Sequence, residues 1–238
     1  VANTVFAKKL GLDSWVYLFD QPLNDIVRKN MILDYHFGAK MHYTKSIFRT
    51  AFKMLGAYLF NRKTYLLMPG ASVPLGTLGF VNAAIELQNQ IDAGVIPPID
   101  ELFVSVGSTG TCAGIALGLE LINSPIHVTG VSVSMLTFSD KKAVVKQMKN
   151  TLKLMRKVDP TIPDVSKNFD KRLDVEESFF GGEYGKCTHE GLYCIDELKK
   201  DGINLDPTYT AKTFSCLMYK LMTSKKNKDK AADGKKKY

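Results

Sequence analysis

The sequence has four cysteines, one tryptophan and no apolar run long enough to cross a membrane. Cys112, Cys187, Cys194 and Cys216 form no Cys-x-x-Cys pair, and His36, His42, His127 and His189 fall at no metal-type spacing. Those absences exclude the usual zinc arrangements, and no metal site is expected. Reduced thiols in a cytosol-like, cytoplasmic setting are the expectation. No glycine-rich stretch ends in Gly-Lys-Ser/Thr, which excludes a nucleotide triphosphatase loop. The spacing Gly107, Gly110, Gly114 is not the dinucleotide fingerprint. Hairpin signals are almost absent, and no repeat of solenoid period occurs.

What is present is the composition of a soluble globular protein. The chain has 238 residues, 45% hydrophobic and 24% charged, enough for one large domain or two modest ones. The formal charge is +8, but residues 224–238, with seven lysines and two aspartates, carry +5 of it and leave +3 for residues 1–223. A lysine run can touch nucleic acid or an anionic membrane surface. This one has no arginine, and its only aromatic is Tyr238. It reads as a solvated tail or connector, and neither nucleic acid nor membrane is expected as a partner.

Apolar periodicity places strands over 15–19, 39–43, 64–68, 102–106, 126–133 and 175–180. It places helices from Asn24 or Asp25 through Asp34, and over 46–60, 77–93, 112–122 and 141–158. Two more run from a Thr188 cap through Lys200 and from a Thr210 cap through Met222. Strand and helix alternate, which predicts an α/β fold of open, mostly parallel sheets flanked by helices, with right-handed crossovers. The loop 69–74 is the expected junction. Before it lies a small α/β domain, 1–69; after it comes part of a larger one, 70–223, that carries the glycine-rich sites.

The most informative stretch is ELFVSVGSTGTCAGIALGLE at 101–120. A buried strand turns through Gly107, Ser108, Thr109, Gly110 and Thr111 into a helix of small residues. A strand, a glycine-rich turn and a helix start make an anion site, because the first amides of the helix are unpaired and its dipole favours negative charge there. Gly107 and Gly110 can take positive φ and let a phosphate approach the backbone. The hydroxyls of Ser108, Thr109 and Thr111 add donors. No residue of the turn is cationic, so neutral donors would hold the phosphate. The alternative is a tight turn whose glycines serve only packing. Cys112 opens the helix, where a thiol pKa can fall, or is a small packing residue.

Three segments carry more than pattern: PGASVPLGTLGFVNAA at 69–84, VGSTGTCAG at 106–114, and EYG at 183–185 followed by LDPTYTAK at 205–212. In this order and spacing, with FDQPL at 19–23 and VRKN at 27–30, they resemble the D-cysteine desulfhydrase and 1-aminocyclopropane-1-carboxylate deaminase family. These are pyridoxal-phosphate enzymes of the tryptophan synthase β-like fold (fold type II). The resemblance implies that residues 107–111 grip the cofactor phosphate. It implies that Tyr184 lies near the substrate, and that Tyr209 packs by the cofactor ring and exchanges a proton with the substrate. A phenol suits both tasks, with a face for stacking and an O–H for proton transfer. The deaminases typically carry glutamate after this tyrosine, facing the pyridine nitrogen; here Thr210 is neutral and serves an unprotonated nitrogen. That favours β-elimination from a small amino acid, D-cysteine first, giving pyruvate, ammonia and sulfide, over cyclopropane ring opening. A homodimer is implied.

Two departures stand beside the likeness. The family's Schiff-base lysine lies in a Gly-Asn-Lys context, followed by Ser-Asn-His, and neither motif is present. The segment ANTVFAKKLGL at 2–12 looks like the helix after Ser-Asn-His, so the chain reads as one that starts inside an element. The family's closing His-Thr-Gly-Gly turn is also absent. The expectation is a fragment, incomplete at both ends, that binds the cofactor weakly and turns over little; a non-catalytic relative is the other reading.

Overall fold

A strand, a helix and a second strand in succession close most readily as a parallel pair with the helix as crossover. The first 67 residues do this once. α1 (Ala2–Lys9) precedes β1 (Trp15–Phe19); α2 (Asp25–His36) is the crossover to β2 (Lys40–Thr44), which pairs in parallel with β1 from Trp15 opposite Lys40 to Phe19 opposite Thr44. The buried hydroxyl of Thr4 donates to Asp34 Oδ1 at 2.5 Å and fixes α1 on α2. α3 (Ile47–Phe60) is tied to β2 by a 2.5 Å hydroxyl bond between Thr50 and Thr44. The computed structural model describes the chain except residues 21–22, 24, 62, 68, 135–138, 183–184 and 235–238, and describes 26, 69 and 225–234 by backbone alone. The chain divides into two compact units, Val1–Leu67 and Met68–Tyr238.

The strand expected over 64–68 does not form over its described residues, 64–67. The Thr64 amide is satisfied locally by the Asn61 carbonyl at 2.9 Å, and the residues join no ladder. Apolar and aromatic content suits a pleated surface but makes a strand only beside a partner edge.

The second unit opens with α4 (Pro74–Asp92), three residues earlier than expected, because proline is well placed at a first helical position where no amide is needed. β3 (Glu101–Val106) leads into α5 (Gly110–Leu121), and β4 (His127–Ser132) precedes α6 (Lys141–Val158). α7 (Phe169–Arg172) runs into β5 (Leu173–Glu176), and α8 (His189–Lys199) and α9 (Thr210–Gly234) close the unit. The sheet is parallel, in the order β3-β4-β5. α5 lies close on α4 because its contact face is glycine: a Cβ on Gly114 would sit 2.5 Å from Phe80 Cβ, and one on Gly118 2.6 Å from Ala84 Cβ. Val106, Leu117, Val128, Val144, Met148 and Phe169 are fully buried in the core between sheet and helices.

Two further boundaries differ from expectation by more than two residues. β5 spans 173–176 rather than 175–180, since its register with β4 ends at Glu176 and the chain then turns, Phe180 N–H bonding the Glu177 carbonyl at 3.4 Å. α9 continues past Met222 to Gly234. Lysine is a good helix former, and nothing between 223 and 233 breaks the helix. Thr188 caps α8 as expected, accepting the Gly191 amide at 3.1 Å.

Candidate functional site

β3 ends at Val106 and α5 begins at Gly110, so three residues make the turn between them. Gly107 and Gly110, expected to supply positive φ, do not; Thr109 takes the left-handed conformation, at φ 72°. That conformation costs a β-branched residue about 1 kcal/mol or more. Thr109 stands at the N-cap of α5 yet makes no side-chain cap bond. The glycines serve close approach instead. A Cβ on Gly110 would lie 2.8 Å from Ser72 Oγ, and one on Gly107 would meet Tyr209 Cε1 at 3.4 Å.

Held this way, all five residues 107–111 line a cavity of about 600 Å³, with Gly70 from the turn before α4, Ser134 after β4 and Tyr209 before α9. It opens where β3 and β4 end, the usual ligand position in an open parallel sheet. The polar side chains on its wall are hydroxyls, and no described lining residue is cationic. Ser134 braces the turn from behind, donating to the Gly107 carbonyl at 3.0 Å. The Gly110 amide is taken by Ser72 Oγ at 3.3 Å; the remaining set, the next helix-start amides with neutral hydroxyls and glycines where a Cβ would intrude, fits a phosphoryl group.

Tyr209 is placed by bonds on both sides. Asp206 accepts the Thr208 and Tyr209 amides at 2.9 and 2.7 Å through Oδ1, and the Thr210 amide and hydroxyl at 3.0 and 2.7 Å through Oδ2. Burial pushes the Asp206 carboxyl up, but the bonds from Thr210, Tyr209 and Thr208 outweigh it and hold the group below the usual carboxylate range. One turn on, Thr213 donates to the Tyr209 carbonyl at 3.0 Å and so accepts from Ser105 of β3 at 2.6 Å. Thr210, expected to cap α9 and to face the cofactor ring, is turned to Asp206, which does the capping; it is not among the residues lining the cavity. Tyr184 lies outside the described residues.

Sequence reasoning missed Ser72, Ser105, Ser134, Asp206 and Thr213. An aspartate before proline at the start of a helical pattern is a turn and cap signal and pointed to Asp206. The hydroxyls carry no signal of their own. Lys212 was missed too: it is fully buried, and its ammonium donates to the Phe180 carbonyl at 2.6 Å, with burial holding its pKa down. Cys112 is a packing residue, its thiol pushed up to about 12 by complete burial rather than lowered by the helix start. A larger cavity, about 890 Å³, lies beside β5, α8 and α9 with Glu176, Tyr193 and Lys220 on its wall. Its wall includes the start of α8, Thr188 to Glu190, but that start has no glycine on the wall, is already capped by Thr188 and carries a carboxylate, so chemistry rather than volume selects the smaller one.

Residues 1–232 match the family described as "Pyridoxal-phosphate dependent enzyme". The chain is 31% identical over 224 residues to a Pyrococcus horikoshii protein named as a candidate 1-aminocyclopropane-1-carboxylate deaminase, covering 87% of this chain and 61% of the relative. It is 33% identical over 171 residues to D-cysteine desulfhydrase of Klebsiella pneumoniae, covering 70% of this chain and 47% of that enzyme. The chain thus spans about three fifths or less of the length of these relatives. Among solved structures, an ACC deaminase homologue superposes with a TM-score of 0.69 at 28% identity, over 89% of this chain and 62% of the other. Serine racemase of Dictyostelium discoideum superposes with a TM-score of 0.58 at 16% identity, over 90% of this chain and 66% of the other, a likeness of fold alone. The architecture is tryptophan synthase β-like, fold type II, and no helix of the described residues is long and apolar enough to cross a membrane.

Proposed function

The chain belongs to the pyridoxal-phosphate-dependent enzyme family, and from that premise we propose that it is part of a lyase acting on a small amino acid, of the D-cysteine desulfhydrase kind. The observation that carries the proposal is the meeting of the 107–111 turn and Tyr209 on one cavity. The Thr111 amide with the hydroxyls of Ser108, Thr109 and Thr111 would hold the cofactor phosphate, the Gly110 amide being committed to Ser72 Oγ. The Tyr209 ring, against Gly107, would flank the cofactor, and its phenol would move a proton to or from the substrate. When bound, the cofactor supplies an electron sink for charge that develops beside the substrate amino group.

The neutral residue after Tyr209 favours β-elimination, with sulfide, ammonia and pyruvate as products. The carboxylate nearest in sequence, Asp206 three residues before Tyr209, is committed to backbone amides and the Thr210 hydroxyl and stands in for no ring-facing acid. Turnover calls for the family's cofactor-carrying lysine. No lysine of residues 1–238 stands in its Gly-Asn-Lys context, so none is assigned that role, and residues 1–238 alone are expected to bind the cofactor weakly and turn over little. A homodimer in a cytoplasmic setting completes the proposal; four free thiols agree with that setting.

A second reading, 1-aminocyclopropane-1-carboxylate deaminase, draws on the longer match to the Pyrococcus protein, 87% of this chain against 70% for the desulfhydrase. The test is an assay of the whole protein with pyridoxal phosphate. Sulfide from D-cysteine supports the first reading, and ammonia only from the cyclopropane substrate selects the second. No product from either leaves a non-catalytic relative.

A further inference from the structure

Two turns meet at the start of α5, and each holds a non-glycine residue in the left-handed region: Thr109 at φ 72° in one and Ala71 at φ 51° in the other. Such strain persists only where the surroundings impose it, and it gathers at ligand sites. The contact is close. Gly70 has φ 72°, and a Cβ there would lie 2.2 Å from Ser108 Oγ and 2.7 Å from Ser108 Cβ. On the far side, a Cβ on Gly110 would reach Ser72 Oγ at 2.8 Å. Glycine on both flanks leaves room for one paired feature, the hydroxyls of Ser72 and Ser108.

Those hydroxyls form a directed chain. The Gly110 amide donates to Ser72 Oγ at 3.3 Å, and Ser72 Oγ donates to Ser108 Oγ at 2.7 Å. The Gly70 carbonyl, at 3.4 Å, is the poorer acceptor for the same proton. A hydroxyl has one proton and two lone pairs. Once Ser108 accepts from Ser72, its own proton is left to point elsewhere, and Ser108 lies on the cavity wall. Ser72 does not line the cavity. It also supplies from 38 residues upstream the cap that Thr109 does not make.

We propose that Ser72 is a positioning residue for phosphate recognition: it caps α5 from another turn and sets Ser108 as a hydrogen-bond donor into the cavity. This rests on the reading of residues 107–111 as the phosphate site and adds a second jaw to it, the 69–72 turn. Successive donation along such a chain strengthens its last bond, and that bond ends on an anion, where hydrogen bonds are strongest.

The test is a phosphorus NMR titration of the chain, which reads weak binding, with inorganic phosphate and with pyridoxal 5'-phosphate. Pyridoxal, which lacks the phosphate and is followed by its own ring-proton signals, is the control. Ser72→Ala is expected to weaken both phosphate ligands roughly tenfold and to leave pyridoxal within about twofold. In a Ser108→Ala background the same change is expected to add little, because the proton it directs is gone. Equal losses in both backgrounds, no loss, or equal weakening of pyridoxal would each overturn the proposal. If the alanine variant does not fold, the isosteric pair Ser72→Thr and Ser72→Val makes the comparison, with only threonine retaining affinity. No phosphate binding by the unaltered chain would instead sink the underlying site, and this role with it.

Discussion

Asp206 Oδ1 accepts the Tyr209 amide at 2.7 Å, so the residue facing the glycine turn is held by a carboxylate three positions earlier. The same carboxylate caps the start of α9 through Thr210. Asp206→Ala is expected to cost about 1–2 kcal/mol, the usual range for a lost cap, read as a shift in the urea midpoint at neutral pH. The folded-state pKa of Asp206 is depressed, so its contribution is full above the ordinary carboxylate pKa, about 3.9, and is lost as pH falls through the folded value. The gap between wild type and Asp206→Ala is therefore expected to close in strong acid. A gap unchanged at pH 2 would refute the assignment.

Much of the fold was legible because its signals are local. The lysine-rich helix α6 falls at the expected 141–158, since a periodic apolar stripe and the Asp140 cap, which accepts the Ala143 amide at 2.7 Å, agree. β1 and β3 were legible as apolar runs bounded by breakers. Residues 64–67 were not: a run can announce β propensity, but pairing depends on an edge elsewhere in the chain. β5 erred for the same reason, its ends being set by β4.

Gly70 and Gly114 separate site from scaffold. Gly70→Ala places a methyl against Ser108 Oγ and forces a side chain into φ 72°. It is expected to weaken phosphate binding by more than tenfold, with a stability loss of about 1–3 kcal/mol. Gly114→Ala meets Phe80 Cβ at 2.5 Å and the Thr77 carbonyl at 2.7 Å. It is expected to cost a similar 1–3 kcal/mol while the folded fraction keeps its phosphate affinity within about threefold. Calorimetric melting and the phosphate titration together check both. Equal affinity losses would mean the turn is not separable from the helix packing.

Lys220 joins α9 to the sheet, donating to Glu101 at 3.1 Å and Thr129 at 3.2 Å, with Glu176 at 3.7 Å. Burial raises the Glu101 carboxyl, but the bonds from Thr129 and Lys220 outweigh it and bring it down. Burial lowers Lys220, but the Glu101 bond and charge outweigh that and raise it. The pair stabilises between those limits. It is lost as pH falls through the Glu101 value or rises through the Lys220 value. The three charged side chains are about one-third exposed, so Lys220→Met is expected to cost only about 1 kcal/mol at neutral pH, and less in acid, below the Glu101 value. Urea unfolding followed from neutral pH into acid reads it.

The site was legible only in part, and the reason bears on Tyr209. The turn's composition announced an anion site, but which side chains meet it depends on three further turns, after α3, β4 and α8, that bring Gly70, Ser134 and Tyr209 together. Nothing local told the ring of Tyr209 from a core tyrosine; its position against Gly107 does. Tyr209→Phe keeps the ring and removes only the hydroxyl. In the whole protein it is expected to lower kcat by about a hundredfold or more, while cofactor affinity stays within about twofold. Tyr209→Ala removes the ring as well and is expected to weaken the cofactor too. Turnover kinetics beside a cofactor titration separate the two effects. If phenylalanine preserves kcat, the phenol moves no proton in the limiting step, and Tyr209 serves only as a wall of the cavity.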